Sequence, residues 1–357
     1  MDTEISITGG QIMIDAISKR EFCALGIGEV MLRLSPVGME RISYCETFEK
    51  KAGGSELNVV SGISMLGLRT GMITKLPHNE IGKFVKHKIR YSGTSDDFVT
   101  YDDSEDMRLG VYYYESGAYP RLSVVSYDRR GSSFTTFRRS ELPDSIYSST
   151  SLFHTSGITL ALDGELCENV IEMMRKFHDA GAIISFDVNY RAALWDEATA
   201  RATMLRVFPY IDVLFVSEET SRRMFGMTGT LEEIHREFAR QYPNLEIIAS
   251  TKRKAVTPKI HSFSSLVYDC REGRHFEEAP YENIEVVDRI GSGDAYVAGA
   301  LYGLLRHRDI EKMARYGDAM AALKNTVLGD TTECDITDID RIIKAHTTDG
   351  PKSEMIR

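Results

Sequence analysis

Apolar positions follow a regular alternation of strand and helix patterns over most of the chain. Short β-branched and apolar runs, typical of buried strands, cover 151–156, 182–188, 211–216 and 245–250. Helical spacings of apolar residues cover 164–180, a segment from about 196, 294–307, 310–327 and 337–346. Strands that alternate with helices form mostly parallel sheets with helices on both faces. The pattern therefore predicts an α/β fold in three layers.

The N-terminal third departs from this alternation. A strand pattern over Ala24–Leu32, a helical pattern over Leu57–Leu66 and a strand pattern over 69–76 begin the fold. Between Met107 and Phe137, alternating aromatic and β-branched residues are interrupted by glycine and proline, which indicates antiparallel ribbons that form a small lid. The predicted organisation is an N-terminal extension (1–20), one domain (21–346) with a lid from about 33–51 and 98–139, and a C-terminal tail (347–357).

The composition disfavours several classes of function. The 357-residue chain has a formal net charge of −10, which argues against a general role on nucleic acids or anionic membranes. No run approaches about 18 consecutive apolar residues, so no membrane span is predicted. The five cysteines form no CxxC pair and the nine histidines show no ligand spacing, which argues against a zinc or disulfide scaffold. Free thiols indicate a reducing compartment, and we expect the protein to be cytoplasmic.

Glycines and polar residues cluster where predicted strands end. Gly53-Gly54, Asp187–Arg191, Ser217–Glu219 and Gly291–Asp294 all lie in or just after strand-to-helix turns. In open parallel sheets, ligands bind at the carboxyl ends of the strands. The last of these turns precedes a helix, whose free amides and dipole favour an anion. Asp294 is therefore either a helix cap or a proton acceptor beside a bound phosphate.

The remaining chemistry favours a small-molecule kinase. The chain has no GxxxxGKS/T phosphate loop, no GxSxG elbow, and no third glycine at dinucleotide spacing after Gly26-Ile27-Gly28. A glycine turn beside a carboxylate supplies what phosphoryl transfer needs, namely charge stabilisation and a group that takes the hydroxyl proton. We expect the amides of Gly291, Ser292 and Gly293 to stabilise the γ-phosphoryl charge. Asp294 is the predicted base for the acceptor hydroxyl.

Two distant motifs carry a resemblance to a known family. The segment Asp288–Asp294 resembles the C-terminal signature of the PfkB, or ribokinase-like, carbohydrate kinases. Gly53–Val59, followed by Leu66-Gly67, looks like the N-terminal signature of the same family. The likeness runs from about residue 21 to 345, and it implies a ribokinase-like three-layer αβα domain that uses ATP and Mg²⁺. It also implies a set of nucleotide contacts: Ser217, Thr251, Arg253, Gly291 and Gly293.

Further segments narrow the resemblance to the 2-keto-3-deoxygluconate kinases. They are Arg108–Glu115, Tyr127–Ser133, Asp187–Arg191 with Leu194-Trp195, and Leu328–Asp330. In that subgroup, YxR and DxNxR motifs hold the carboxylate of a sugar acid, which implies this role for Arg129 and Arg191. Their planar guanidinium groups suit a carboxylate, and an acidic protein needs local cations to bind an anion. The resemblance adds five substrate contacts: Gly53, Gly54, Asn58, Tyr112 and Tyr127.

Several positions depart from the family pattern. The usual Asn-x-x-Glu motif, associated with magnesium and phosphate, reads Ser217–Thr220 and lacks its terminal glutamate. The usual Asp-x-x-Gly reads Asn79–Gly82, and Ser250–Ala255 replaces a glycine-containing nucleotide loop. Glu218 or Glu219 could act on the metal through water, and no metal ligand is assigned.

The predicted activity is ATP-dependent phosphorylation of a sugar acid, converting 2-keto-3-deoxygluconate to its 6-phosphate. Two alternatives stay open: a kinase of a neutral sugar such as fructose, and a sugar-binding regulator without catalytic activity. The lid presents exposed ribbon edges, and such edges need covering. We therefore expect a homo-oligomer formed through the lid.

Overall fold

The structure is a computed structural model that describes residues 20–257 and 259–348. The predicted N-terminal extension, apart from Arg20, and the predicted tail, apart from Thr347 and Thr348, lie outside these residues. Within the described ranges, no helix is long and apolar enough to cross a membrane. The five cysteines are all free.

Fourteen strands occur in the described residues, and they form two sheets. They are β1 (Phe22–Ile27), β2 (Met31–Pro36), β3 (Phe48–Gly53), β4 (Thr70–Pro77), β5 (Val99–Asp102), β6 (Val111–Glu115), β7 (Val124–Asp128), β8 (Thr150–Ser156), β9 (Ile183–Asp187), β10 (Val213–Phe215), β11 (Ile247–Thr257), β12 (Ile260–Asp269), β13 (Arg274–Glu277) and β14 (Tyr281–Glu285). The main sheet has ten strands in the order β13-β12-β11-β10-β9-β8-β1-β4-β5, with β14 paired to β12. From β11 to β5 every pair is parallel, and only the β12 pairs are antiparallel.

Helices cover both faces of the main sheet. They are α1 (Ser55–Met65), α2 (Glu80–Tyr91), α3 (Gly157–Leu160), α4 (Gly164–Asp179), α5 (Glu197–Val207), α6 (Glu218–Phe225), α7 (Leu231–Gln241), α8 (Ser292–His307), α9 (Ile310–Asn325) and α10 (Ile336–Thr347). One core contains residues of α4, α5 and α7, such as Val170 and Phe238. The other contains residues of α1, α8, α9 and α10, such as Ile63 and Leu301. The predicted three-layer α/β fold with a mostly parallel sheet is confirmed.

A separate four-stranded sheet, which we call the lid, has the order β3-β2-β6-β7. Its outer pairs are antiparallel, as predicted for ribbons, but β2 and β6 run parallel. The segment 98–139 does not belong to the lid throughout, because β5 pairs with β4 in the main sheet. After β7 the chain forms short 3₁₀ turns at Ser133–Thr136, Arg139–Glu141 and Asp144–Ser148.

The single strand predicted over Ala24–Leu32 is wrong, because the chain changes sheets at Gly28-Glu29-Val30. The first half is β1 of the main sheet and the second half is β2 of the lid. Gly28 lies against the side chain of Glu56, and a Cβ there would be 3.0 Å from the Glu56 Cβ. Both halves are buried and apolar, so periodicity alone does not reveal the break.

Glycine allows helices α8 and α9 to pack backbone against backbone. A Cβ at Gly299 would lie 2.6 Å from the carbonyl carbon of Tyr316 and 2.9 Å from the Cα of Gly317. A Cβ at Gly303 would lie 2.6 Å from the carbonyl oxygen of Lys312. Because α8 begins at the Gly291–Asp294 turn, this packing fixes the position of that turn.

We predict that Gly299→Ala lowers the free energy of unfolding by about 2 kcal/mol, since overpacking against backbone outweighs the roughly 1 kcal/mol gain in helix propensity. Urea denaturation measures the effect. Gly164→Ala is the matched control, because a Cβ at this first residue of α4 meets nothing within 4 Å. Its stability should stay within about 1 kcal/mol of the wild type, and equal losses in both variants would contradict the packing argument.

Candidate active site

The segment Asp288–Asp294, which we call the Gly291 turn, connects strand β14 to helix α8. Gly291 has φ +79°, and a Cβ there would lie 2.9 Å from the carbonyl carbon of Asp330. The position therefore requires glycine for both conformation and space. The helix begins at Ser292, two residues earlier than the predicted start at Asp294.

Among the described residues, two of the three amides predicted to face an anion have no hydrogen-bond partner. The Ser292 amide donates to the carbonyl of Arg289 at 3.3 Å. The amides of Gly291 and Gly293 donate to no described residue. Free amides at a helix N-terminus favour an anion, so Gly291 and Gly293 keep this capacity, whereas the Ser292 amide is engaged in a long hydrogen bond.

Asp294 is held by the N-terminal end of α1 and does not cap its own helix. Its Oδ1 accepts from Ser55 Oγ at 2.9 Å, and its Oδ2 accepts from Asn58 Nδ2 at 2.7 Å. Asn189 Nδ2 in turn donates to Ser55 Oγ at 3.0 Å. Burial raises the pKa of Asp294, although both hydrogen bonds and the nearby Arg191 oppose the shift. The helix-cap interpretation is therefore wrong, and the carboxylate is placed with a raised proton affinity.

Two further carboxyl groups lie near Asp294. Asp187 ends β9, and burial together with Asp294 raises its pKa to about 7. Glu56 is fully buried, and its Oε1 accepts from Ser156 Oγ and Thr159 Oγ1, each at 2.7 Å. Burial raises the pKa of Glu56. The three groups disfavour one another's negative charge, which makes protonation of this cluster easier than that of an isolated carboxylate.

The two predicted carboxylate-binding arginines differ in their surroundings. Arg129 follows β7 and forms a buried ion pair with Glu29, its Nε lying 2.7 Å from Glu29 Oε2. Arg191 is exposed, and its Nη1 donates to the Tyr190 carbonyl at 3.0 Å. No carboxylate of the described residues lies within ion-pair distance of Arg191. Its charge is therefore available to a ligand.

The predicted sugar contacts from the lid and from the β3–α1 turn meet at Asp330. Tyr112 is buried and donates its hydroxyl proton to Asp330 Oδ2, while Tyr127 is half exposed with its ring 5.8 Å from that of Tyr112. A Cβ at Gly53 would lie 2.6 Å from Asp330 Cγ. A Cβ at Gly54 would lie 3.3 Å from the carbonyl carbon of Glu29. Both glycines permit close packing, and Gly54 also lines the cavity described below.

A buried ion network connects the lid to the Gly291 turn. Arg33 of β2 contacts Asp288 Oδ2 at 2.5 Å through Nη2 and Asp330 Oδ1 at 2.9 Å through Nη1. Asp288 also accepts from the amides of Ile290 and Gly329 at 3.0 and 3.1 Å. Arg33 was not among the predicted site residues, although an arginine between two leucines directly after a predicted strand was a signal for a buried charge.

Two adjoining cavities meet at Asp187, Asn189, Arg191 and Gly293. The lid-side cavity has a volume of about 360 Å³. Its lining includes Asp294, Asn58, Gly54, Tyr112, Tyr127, Arg129, Glu29, Arg253 and Arg289. The α6-side cavity has a volume of about 490 Å³. Its lining includes Ser217, Glu219, Thr220, Thr251 and Tyr296.

The predicted nucleotide contacts divide between these cavities. Ser217 and Thr251 line the α6-side cavity, where Ser217 also caps α6 by accepting from the Thr220 amide at 3.1 Å. Arg253 instead lines the lid-side cavity beside Arg289, which was not among the predicted site residues. Neither of these arginines has an ion-pair partner within the described part of the chain. Within the same part, no three His, Cys, Asp or Glu side chains are grouped to hold a metal.

A parallel sheet between helices, with a lid over a cavity that holds a glycine-turn aspartate, is the architecture of a sugar kinase. The sequence profile of the pfkB family carbohydrate kinases matches residues 23–337, and the chain belongs to that family. It is 33% identical to a 2-dehydro-3-deoxygalactonokinase of Haloferax volcanii, over 89% of this chain and 95% of that one.

Solved structures agree with this assignment. The crystal structure of 2-dehydro-3-deoxygluconokinase from Thermotoga maritima superposes with a TM-score of 0.85 at 31% identity, covering 90% of this chain and 99% of the other. A putative ribokinase II from E. coli, solved with ATP and Mg²⁺, gives a TM-score of 0.78 at 17% identity over 90% of this chain and 99% of the other. The second likeness concerns the fold alone. The chain is thus an enzyme of the carbohydrate kinase class, as predicted.

Proposed function

We propose that this enzyme transfers the γ-phosphoryl group of ATP to the terminal hydroxyl of a sugar acid, namely 2-dehydro-3-deoxygluconate (also called 2-keto-3-deoxygluconate), giving its 6-phosphate. One observation carries the proposal. The partly buried Asp294 carboxylate lies in the lid-side cavity together with the guanidinium groups of Arg129 and Arg191. A proton acceptor and two cations in one cavity suit an acceptor that carries both a hydroxyl and a carboxylate. The names of two relatives above 30% identity, described above, support the same class of substrate.

Asp294 is the proposed base of the transfer. The acceptor oxygen bonds to the γ-phosphorus while the bond from that phosphorus to the ADP oxygen breaks, and the hydroxyl proton passes to Asp294. Hydrogen bonds from Ser55 and Asn58 fix the carboxylate in place. Burial raises the pKa of Asp294, which improves its affinity for the transferred proton. Asn58 thus acts through Asp294 in addition to any contact with the sugar.

ATP is proposed to occupy the α6-side cavity with its γ-phosphoryl group directed to the shared wall at Gly293. The free amides of Gly291 and Gly293 and the charges of Arg253 and Arg289 would then face the transferring group. Mg²⁺ in such sites is held mainly by phosphates and water, with one or two carboxylates. Glu219 and Asp187 line the α6-side cavity, so their oxygen ligands fit this metal, which would neutralise phosphate charge when bound.

The two alternatives have less support. A neutral sugar would not use the charge of Arg191, which has no ion-pair partner among the described residues, and desolvating this guanidinium would cost binding energy. A regulator without activity would not need an aspartate held by two hydrogen bonds beside free amides. Neither alternative matches the names of the relatives above 30% identity.

Asp294→Asn should lower kcat by about 10²–10⁴-fold, because the amide retains the shape of the side chain but cannot take a proton. A coupled ADP-release assay measures kcat over a panel of sugars and sugar acids, including both epimers of the proposed sugar acid. The Kd for ATP, measured by calorimetry, should stay within a few-fold of the wild-type value. Asp163→Asn, which alters the N-cap of α4, is the matched control with normal kcat. An Asp294→Asn enzyme with wild-type rates would refute the base assignment.

Removal of either carboxylate-binding cation should weaken acid binding selectively. We expect Arg191→Ala and Arg129→Ala each to raise KM for the sugar acid about 10- to 100-fold, the equivalent of one charge-assisted hydrogen bond. KM for the best neutral sugar should change far less. Arg130→Ala, which removes an exposed neighbouring arginine, is the control. Equal increases in KM for acid and neutral sugars would remove the carboxylate argument.

We also propose that the lid forms a homo-oligomer contact. Tyr119 and Leu122 of the β6–β7 connection are 84% and 74% exposed, and β7 is an edge strand. An exposed apolar edge of this kind favours pairing with a second copy. Sedimentation analysis should show an oligomer for the wild type and a smaller species for Leu122→Lys. Val256→Lys, at an exposed apolar residue outside the lid, should not change the size.

A further inference from the structure

A buried carboxylate lies in the cavity proposed to bind an anion, and the proposed reaction gives it no part. Glu29 is 3% exposed, and it lies where the chain crosses from β1 to β2. It lines the lid-side cavity together with Arg129 and Arg191. A negative charge here repels a sugar acid unless it has a compensating role.

Only one of the two carboxylate oxygens of Glu29 accepts hydrogen bonds from the described residues. Its Oε2 accepts from both Nε and Nη2 of Arg129, with Nε at 2.7 Å. Its Oε1 is buried and has no hydrogen-bond partner among the described residues. A Cβ at Gly110 would lie 3.2 Å from Glu29 Cδ, so the absence of a side chain at Gly110 leaves room for the carboxylate. Arg129 is thus the only cation that compensates Glu29 in the described part of the chain.

This arrangement argues that Arg129 stays on Glu29 when substrate binds. If the guanidinium moved away, a buried carboxylate would be left without any partner, which is one of the costliest changes a site can undergo. The Nε–Nη2 edge of Arg129 is therefore occupied. Its Nη1 donates to no described residue, so the Nη1–Nη2 edge is the one that a ligand can meet.

We propose that Glu29 is a positioning residue for Arg129. It holds the Nε–Nη2 edge of the guanidinium so that the Nη1–Nη2 edge meets the carboxylate of the sugar acid. This inference rests on the proposed function, because it requires an acidic acceptor. In the opposite arrangement, Glu29 occupies the place of the substrate carboxylate and competes with it. Removal of the Glu29 carboxylate should then lower KM for the sugar acid.

Glu29→Gln and Glu29→Ala separate these arrangements. Both substitutions remove the negative charge, but only glutamine keeps an oxygen that accepts from Arg129. Positioning predicts that KM for the sugar acid is about tenfold higher in Glu29→Ala than in Glu29→Gln, with kcat nearly equal in the two. KM for the best neutral sugar should differ less than twofold. A KM for the acid that is equal in both variants, or lower than wild type in both, would overturn the proposal.

A double-mutant cycle tests whether Glu29 acts through Arg129. In an Arg129→Ala background, exchanging Gln for Ala at position 29 should leave KM for the acid unchanged, because the group being oriented is gone. A persisting tenfold difference would sink the positioning role. Asp128→Asn, which removes an exposed carboxylate at the end of β7 that pairs with Arg108, is the matched control and should behave as wild type.

The substrate preference of the wild-type enzyme distinguishes failure of the proposed function from failure of the role of Glu29. If the wild type shows no preference for sugar acids over neutral sugars, the proposed function falls, and the role of Glu29 falls with it. If the wild type prefers acids and Arg129→Ala abolishes the preference, but the two Glu29 variants are alike, only the positioning role is refuted. Near-ultraviolet circular dichroism and melting of each variant establish that the differences arise in folded protein.

Discussion

The paired contacts of Arg33 with Asp288 and Asp330 hold the site together. One guanidinium on the lid strand β2 reaches two carboxylates, one at the start of the Gly291 turn and one in the loop after α9. All three groups are buried, so each depends on the others for compensation of its charge. Asp330 is in turn the acceptor of the Tyr112 hydroxyl, which connects the second lid strand to the same point. The lid and the turn are therefore positioned as one unit.

Charge in this site is arranged by pairing some groups and leaving others free. Arg33 and Arg129 are compensated by carboxylates, whereas Arg191, Arg253 and Arg289 have no ion-pair partner within the described residues. The chain as a whole is strongly acidic, so uncompensated cations in one region create a local field that a negatively charged ligand can use. Glu56 is buried, and Asp187 and Asp294 are partly buried; all three gain proton affinity from their low-dielectric surroundings.

The sequence predicted the features that depend on residues close together in the chain. The alternation of strands and helices gave the parallel sheet, and the turn at Gly291–Asp294 was recognisable because its residues are adjacent in the chain. Glu29 and Arg33 were missed because their partners, Arg129 and Asp288, lie 100 and 255 residues away. The break between β1 and β2 was missed because the residues on either side of it, up to Leu32, are buried and apolar. The roles assigned to Arg129, Arg191 and the other site residues stay predictions, although the structure brings most of them into two adjoining cavities.

The parallel pairing of β2 with β6 has a consequence for how the chain acquires its structure. Val111 pairs with Leu32 across 79 residues, while β3 lies close to β2 in sequence. During synthesis, the β2–β3 hairpin therefore emerges well before its partner, and its open edge must wait for the strands β4 and β5 and the helices between to be made. Such non-local pairing incurs loop-closure entropy before any contact rewards it. We therefore expect the lid-side cavity to close late in folding, after β6 has been made and can cover the open edge of the β2–β3 hairpin.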